Sequence, residues 1–265
     1  MKKVLILNGS PKKKGSTSGL LGRMAGLLLA GWDVRYASLR AKRDYPKILE
    51  QFPEIDALIL AVPLYVDGIP SHVLEFLQQA EESCHKSGCR FLVYAVSNNG
   101  FIEGAHNKSH LRMYQCWCQR AGLTWGGGVG IGGGEMFHCL AVYYPIAFAV
   151  LIARNLIRYW TGVAVTPSGW LPLAENIGIY LFFNCGIFYS VARLSASVRK
   201  LRQTKDRYTR VMVPAFLFIP MADIFMTLTA LFQGRIIFML LKKDRYIHEP
   251  DTRSSPHGSE GPRRK

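Results

Sequence analysis

Residues 4–18 read VLILNGSPKKKGSTS, a continuous apolar run that breaks off into a loop of Gly, Ser, Thr and Lys. A run with no polar alternation fits a strand buried on both faces. From Ser16 onward Leu20, Leu21, Met24, Leu27 and Leu28 recur at helical spacing, and Gly31 supplies a stop. Strand, loop and helix in this order point backbone N–H groups and hydroxyls at the positive end of a helix, which favours an anion. The stretch therefore predicts a phosphate-holding loop.

The pattern repeats along the chain. Trp32–Leu39 (WDVRYASL) alternates like a strand near a sheet edge, and a short helix is expected around residues 45–52. Asp56–Val62 (DALILAV) and Cys89–Ser97 (CRFLVYAVS) read as buried strands, followed by helices over 71–80 and about 107–121. Thr124–Ile131 is a weaker strand interrupted by glycines, and Met136–Trp160 a long apolar helix. Strands alternating with helices predict an α/β fold, a doubly wound parallel sheet of five strands with helices on both faces. Right-handed crossovers then bring three loops, GSPKKKGSTS, PLYVDGIP and SNNGF, to one carboxyl edge, where open α/β sheets bind ligands.

At these loops, over about residues 1–160, the sequence resembles the flavodoxin-like NAD(P)H-dependent FMN reductases. Asn8–Thr17 (N-G-S-P-x-x-x-G-x-T) is similar to that family's FMN phosphate loop, Pro63–Pro70 (P-L-Y-x-x-x-I-P) to its flavin-flanking loop, and Asn99–Phe101 stands where the third flavin loop is expected. The combination differs from both the GxGxxG fingerprint and the Walker motif, since no G-K-[ST] follows. The resemblance implies that Ser10, Ser16, Thr17 and Ser18 hold the FMN phosphate, with Ser16 standing where many relatives have Asn. It implies that Pro63, Leu64, Tyr65 and Val66 line the isoalloxazine, with Tyr65 stacking on it, and that Asn98, Asn99, Gly100 and Phe101 approach its pyrimidine side. The implied activity is FMN-dependent transfer of electrons from NAD(P)H to a small acceptor such as a quinone, a flavin or a nitroaromatic. The cofactor carries such chemistry, so no protein nucleophile is needed and no catalytic side chain is assigned. The alternative is an FMN-binding electron carrier without nicotinamide turnover, although carriers of that kind are typically acidic.

This chain is basic. Its net charge of +15 is split almost evenly about Val165. Its largest basic cluster, Arg193–Arg210, is flanked by apolar runs and lacks interleaved stacking aromatics, which argues against nucleic acid and for an anionic membrane surface or phosphorylated ligands. The six cysteines have neither metal-knuckle nor disulfide-framework spacing and are expected reduced and mostly buried. His106 and His110 lack an evident third ligand and read as surface or capping residues, so no metal is assigned. Lys12–Lys14 read as charged surface as readily as phosphate contacts, and spacing alone cannot decide whether Glu103 and Glu135 touch substrate. The N-terminal run VLIL is too short for a signal-peptide core, which places the front half in the cytoplasm.

The chain is accordingly divided into a flavodoxin-like FMN-binding domain (1–165), an apolar helical region for membrane association or dimerisation (166–246) and a disordered basic tail (247–265). Within the apolar region, 177–192 and 211–232 are the long hydrophobic segments. A two-span hairpin of those segments would place the basic connector 193–210 outside, against the positive-inside tendency. Amphipathic or re-entrant helices lying in the cytoplasmic leaflet are the preferred expectation, with a soluble homodimer interface or an extended core as the alternatives.

Overall fold

The computed structural model describes residues 1–13, 15–65, 68–163 and 166–232. The expected basic tail at 247–265, the neighbouring residues from 233 and Val66 lie outside the described residues. The apolar runs do form strands: β1 (Lys3–Asn8), β2 (Asp33–Ser38), β3 (Ala57–Pro63), β4 (Leu92–Asn98) and β5 (Thr124–Gly132). A sixth, β6 (Arg207–Arg210), completes one parallel sheet in the order β2-β1-β3-β4-β5-β6. The order 2-1-3-4-5 is that of the flavodoxin-like doubly wound fold, with its switch point between β1 and β3.

The sheet thus has six strands, where five were expected. RYTR carries no apolar alternation and sits inside a basic run, so it read as connector. What makes it a strand is backbone pairing of residues 207–210 with Val129–Gly132, together with Asp206. The Asp206 carboxylate accepts from Gly128 N (2.8 Å) and Trp125 Nε1 (3.2 Å), near the irregularity in β5 pairing. Burial raises the Asp206 pKa, against the lowering effect of those two donors. Glycines in β5 let residues 102–107 lie against the strand: a Cβ at Gly132 would meet the Ile102 carbonyl oxygen, and one at Gly130 would stand 2.8 Å from Asn107 Cβ. This close approach is why β5 looked weak in the sequence.

Helices α1 (Thr17–Leu27), α2 (Tyr45–Leu49), α3 (Ser71–Ser87) and α4 (Lys108–Arg120) alternate with the strands. On one face, Tyr45, Phe52, Phe76 and Phe91 make edge-to-face contacts at 5.1–6.2 Å over Leu5, Leu58, Leu60 and Val93. Each such ring contributes roughly 1.5–3 kcal/mol through burial. Trp117 and Cys118 of α4 are buried there, and Trp117 Nε1 donates to Leu77 O (2.8 Å). Only three of the six cysteines, Cys84, Cys89 and Cys118, are buried, fewer than expected, because Cys116 and Cys185 face outward on their helices.

The other face is covered by α1 and by part of α6 (Pro167–Arg199). Leu21 and Ala25 of α1 and Ile187, Val191, Leu194 and Val198 of α6 are buried, and Ser195 Oγ donates to Ala25 O (3.2 Å). The basic residues at 193, 199 and 200 flank these apolar positions, so the expected connector 193–210 is instead the end of a core helix, a turn and a strand. Between β5 and α6 runs α5 (Gly134–Trp160), long and mostly exposed. Packing divides the chain after Phe218. The last described helix, α7 (Ala215–Phe232), is strongly apolar and contains Pro220.

Candidate functional site

The carboxyl ends of β1, β3, β4 and β5 converge because strand pairing continues into their loops. Gly9 N donates to Ala61 O (2.9 Å), Leu64 N to Asn98 O (2.8 Å), Asn99 N to Ile131 O (3.0 Å) and Gly134 N to Asn99 O (2.8 Å). Within the first loop Asn8 acts as a brace: its Oδ1 accepts from Ser10 N (3.0 Å) and its Nδ2 donates to Ser16 Oγ (3.2 Å). Ser16 is the N-cap of α1, accepting from Gly19 N at 3.1 Å, a contact worth about 1 kcal/mol. Gly15 takes φ +63°, the left-handed conformation that turns the loop into the cap.

These bonds leave a cleft of about 150 Å³ lined by Ser10, Lys12, Thr17, Ser18, Pro63, Leu64, Tyr65, Asn98, Asn99, Gly100 and Glu135. Nine of the twelve residues expected at the site therefore meet there. Ser16 lies behind them as the cap and lines an adjoining cavity of about 460 Å³ with Lys13, Arg23 and His138. Phe101 is about half exposed and rests on the His106 ring, 5.1 Å between centroids. Val66 is outside the described residues.

The hydroxyls are arranged differently from the simple phosphate cradle. Ser18 Oγ donates to Asn98 Oδ1 (2.7 Å) and Thr17 Oγ1 to Gly134 O (3.3 Å), both buried. They tie the first loop to the third loop and to the start of α5. What α1 offers an anion is then its first-turn N–H groups and the Ser10 hydroxyl, which accepts from Lys12 N at 3.3 Å. His72 fastens the second loop: its Nε2 lies 3.1 Å from Gly9 O, and burial lowers its pKa, so the neutral ring donates to that carbonyl.

Two rim residues are ones the sequence names without deciding. Lys12 Nζ and Glu135 Oε1 form an ion pair at 2.9 Å, each about half exposed, worth at most about 1 kcal/mol. Three consecutive lysines gave no reason to single one out, and Glu135 arrives only because α5 starts against the third loop. A Cβ at Gly134 would come within 2.9 Å of Asn98 Nδ2, so glycine permits that approach. Glu135 places negative charge at the rim and Lys12 balances it.

The arrangement fits a half-buried flavin mononucleotide. Asn99 is 2% exposed, and its Oδ1 is a buried acceptor with no partner among the described residues, open to the N–H of a planar heterocycle. Tyr65, 42% exposed, leaves a ring face available at the rim. The volume is below the roughly 300–1,000 Å³ of pockets that enclose a whole ligand, so one edge of the ring would stay in solvent.

His110, expected on the surface, is instead buried behind the site with its Nδ1 2.6 Å from Ser97 Oγ. Ser97 Oγ donates to Asn107 Oδ1 (2.7 Å), which makes the ring nitrogen the donor in the other bond.

Fold and cleft together define a flavodoxin-like α/β protein with an aromatic-rimmed cleft at its switch point. No family model matches the chain, and no curated protein does. Among solved structures it is similar to an NADH:FMN oxidoreductase in apo form, with 15% identity over 64% of this chain and 94% of that one and a TM-score of 0.43. It is similar also to the Trp repressor binding protein from Bacillus subtilis, with 18% identity over 49% and 84% and a TM-score of 0.41. An NAD(P)H:quinone oxidoreductase from Methanothermobacter marburgensis shares 15% identity over 49% and 83%, with a TM-score of 0.42. The strand order, rather than these distant likenesses, defines the fold.

Proposed function

We propose that the chain is an FMN-dependent oxidoreductase that takes electrons from NAD(P)H and passes them to a small acceptor, a quinone, a flavin or a nitroaromatic, at a membrane surface. The observation that carries this reading is the convergence of three loops on one cleft whose buried Asn99 Oδ1 lacks a donor. Bound FMN would supply the hydride and electron chemistry. The protein's part is position and electrostatics. The first turn of α1 and Ser10 would take the phosphate, with Lys12 drawn from Glu135 toward it. Tyr65, Pro63 and Leu64 would shield one face of the ring from water, and Asn99 would fix its orientation by accepting a hydrogen bond. The exposed apolar surfaces of α5 and α6 support the membrane location.

The test is the visible spectrum of purified protein supplied with FMN and then with NADH or NADPH. Retained yellow colour that bleaches on adding either nucleotide is the expected result. Asn99→Leu should fold normally yet hold FMN about tenfold more weakly, the effect of one buried hydrogen bond of about 1–2 kcal/mol. Protein that retains no FMN sinks the proposal. Retention without bleaching by nicotinamide, but with reduction by a protein reductase, transfers the chain to the electron carriers.

A further inference from the structure

Helices α5 and α6 form an antiparallel hairpin that projects from the same sheet edge as the cleft. Its register is set by paired contacts: Phe137 with Phe188 (6.4 Å between centroids), Tyr144 with Tyr180 (5.0 Å), and Asn155 Nδ2 with Gly169 O (3.0 Å). From Asn184 onward the second arm packs into the globular part, whereas from Pro167 to Phe183 none of its residues is buried.

We propose that this hairpin crosses a lipid bilayer, with its connection at 161–166 on the far side and the cleft against the near headgroups. No Asp, Glu, Lys or Arg stands between Glu135 and Arg154, or between Glu175 and Arg193. In this register the two stretches coincide over about 136–148 and 176–188, roughly 20 Å at 1.5 Å per residue. The helices themselves, 27 and 33 residues long, reach across the roughly 30 Å hydrocarbon core, and exposed Glu175 falls within the span. A second copy of the chain would cover one stripe and leave a polar face outside. Before Arg154 there is no polar face: Val142, Tyr143, Ile146, Val150 and Ile152 spread around the exposed side of α5, the pattern of a helix in lipid, and the exposed Arg154 and Arg158 stand toward the tip. Two amides satisfy N–H groups on carbonyls of their own helix, Asn176 to Pro172 O (2.7 Å) and Asn184 to Tyr180 O (2.9 Å).

The ends match the two interfaces. At the tip stand the exposed aromatics Tyr159, Trp160 and Trp170, the residues of interfacial belts, and the connection from Thr161 to Ser168 has no charge. At the root stand Lys12, Lys13 and Arg210, complementary to an anionic leaflet. Charge placement that opposed a hairpin of 177–192 with 211–232 favours this one, because the basic run belongs to the sheet side.

The hairpin does not depend on flavin binding and is tested separately from it. Val163 is exposed and remote from the sheet, so Val163→Cys introduces a reporter thiol without disturbing the core. The full chain carrying this substitution is produced in bacterial cells and treated with a membrane-impermeant maleimide before and after permeabilisation. The expected result is labelling of the variant already before permeabilisation, rising afterwards by the amount the wild type gains, while the wild type, whose exposed Cys116 lies on the sheet side, is labelled only after permeabilisation. A variant labelled only after permeabilisation overturns crossing and leaves helices lying on the near leaflet. Recovery of the chain in the soluble fraction without detergent, as a dimer or otherwise, overturns it as well.

Discussion

At the scale of single residues the buried ring of His110 makes stability depend on pH. Its Nδ1–H is directed at Ser97, its Nε2 has no partner among the described residues, and Tyr114 covers it at 4.6 Å between rings. Burial lowers its pKa from 6.5 to about 4. Between those values the unfolded chain binds a proton that the folded chain refuses, so stability is intact above pH 6.5 and falls as pH drops toward 4. The full loss is on the order of 3 kcal/mol. His72, also lowered by burial, adds to this slope, while Asp206, raised by burial, opposes it. Denaturant unfolding of wild type and His110→Gln between pH 7 and 4.5 should give a clearly flatter dependence in the variant. An unchanged slope would contradict the account.

At the scale of elements the edge strand β6 hangs on Asp206, which supplies the acceptor for Gly128 N and Trp125 Nε1. Asp206→Ala should cost about 1–3 kcal/mol, the penalty of leaving a buried donor unpaired. Asp206→Asn, which keeps an acceptor oxygen, should recover part of it; urea midpoints of the three proteins decide. Elements held together by such bonds are poorly legible in a sequence. VLIL, DALILAV and CRFLVYAVS announced β1, β3 and β4 because a strand buried on both faces is continuously apolar. RYTR announced nothing, since its partner is backbone. The continuity of α6 was hidden for another reason: hydropathy drops at Arg193, although Leu194, Ser195 and Val198 carry the buried face onward. In the site, the loops could be read from turn chemistry after strands, whereas Glu135 reached the rim through tertiary packing and Phe101 was turned away to His106.

At the scale of the whole molecule a globular α/β part bears apolar helices that water would leave uncovered. The full chain should stay with membranes through washes in high salt and alkaline carbonate, and leave them only in detergent. Release by salt alone would indicate that basic residues, rather than buried apolar area, hold it there. In that setting the cleft at the root of the hairpin stands within reach of an acceptor dissolved in lipid. Activity toward a membrane quinone should then exceed activity toward a water-soluble dye at equal concentration.

The single rod of α6 also sets an order for biosynthesis. Its lower half and β6 finish one face and one edge of the sheet, yet both are translated after residues 134–186. The ribosome therefore releases the hairpin while that face is still open, and a hairpin that crosses the bilayer, as proposed, would commit its apolar arms to the membrane before the domain closes.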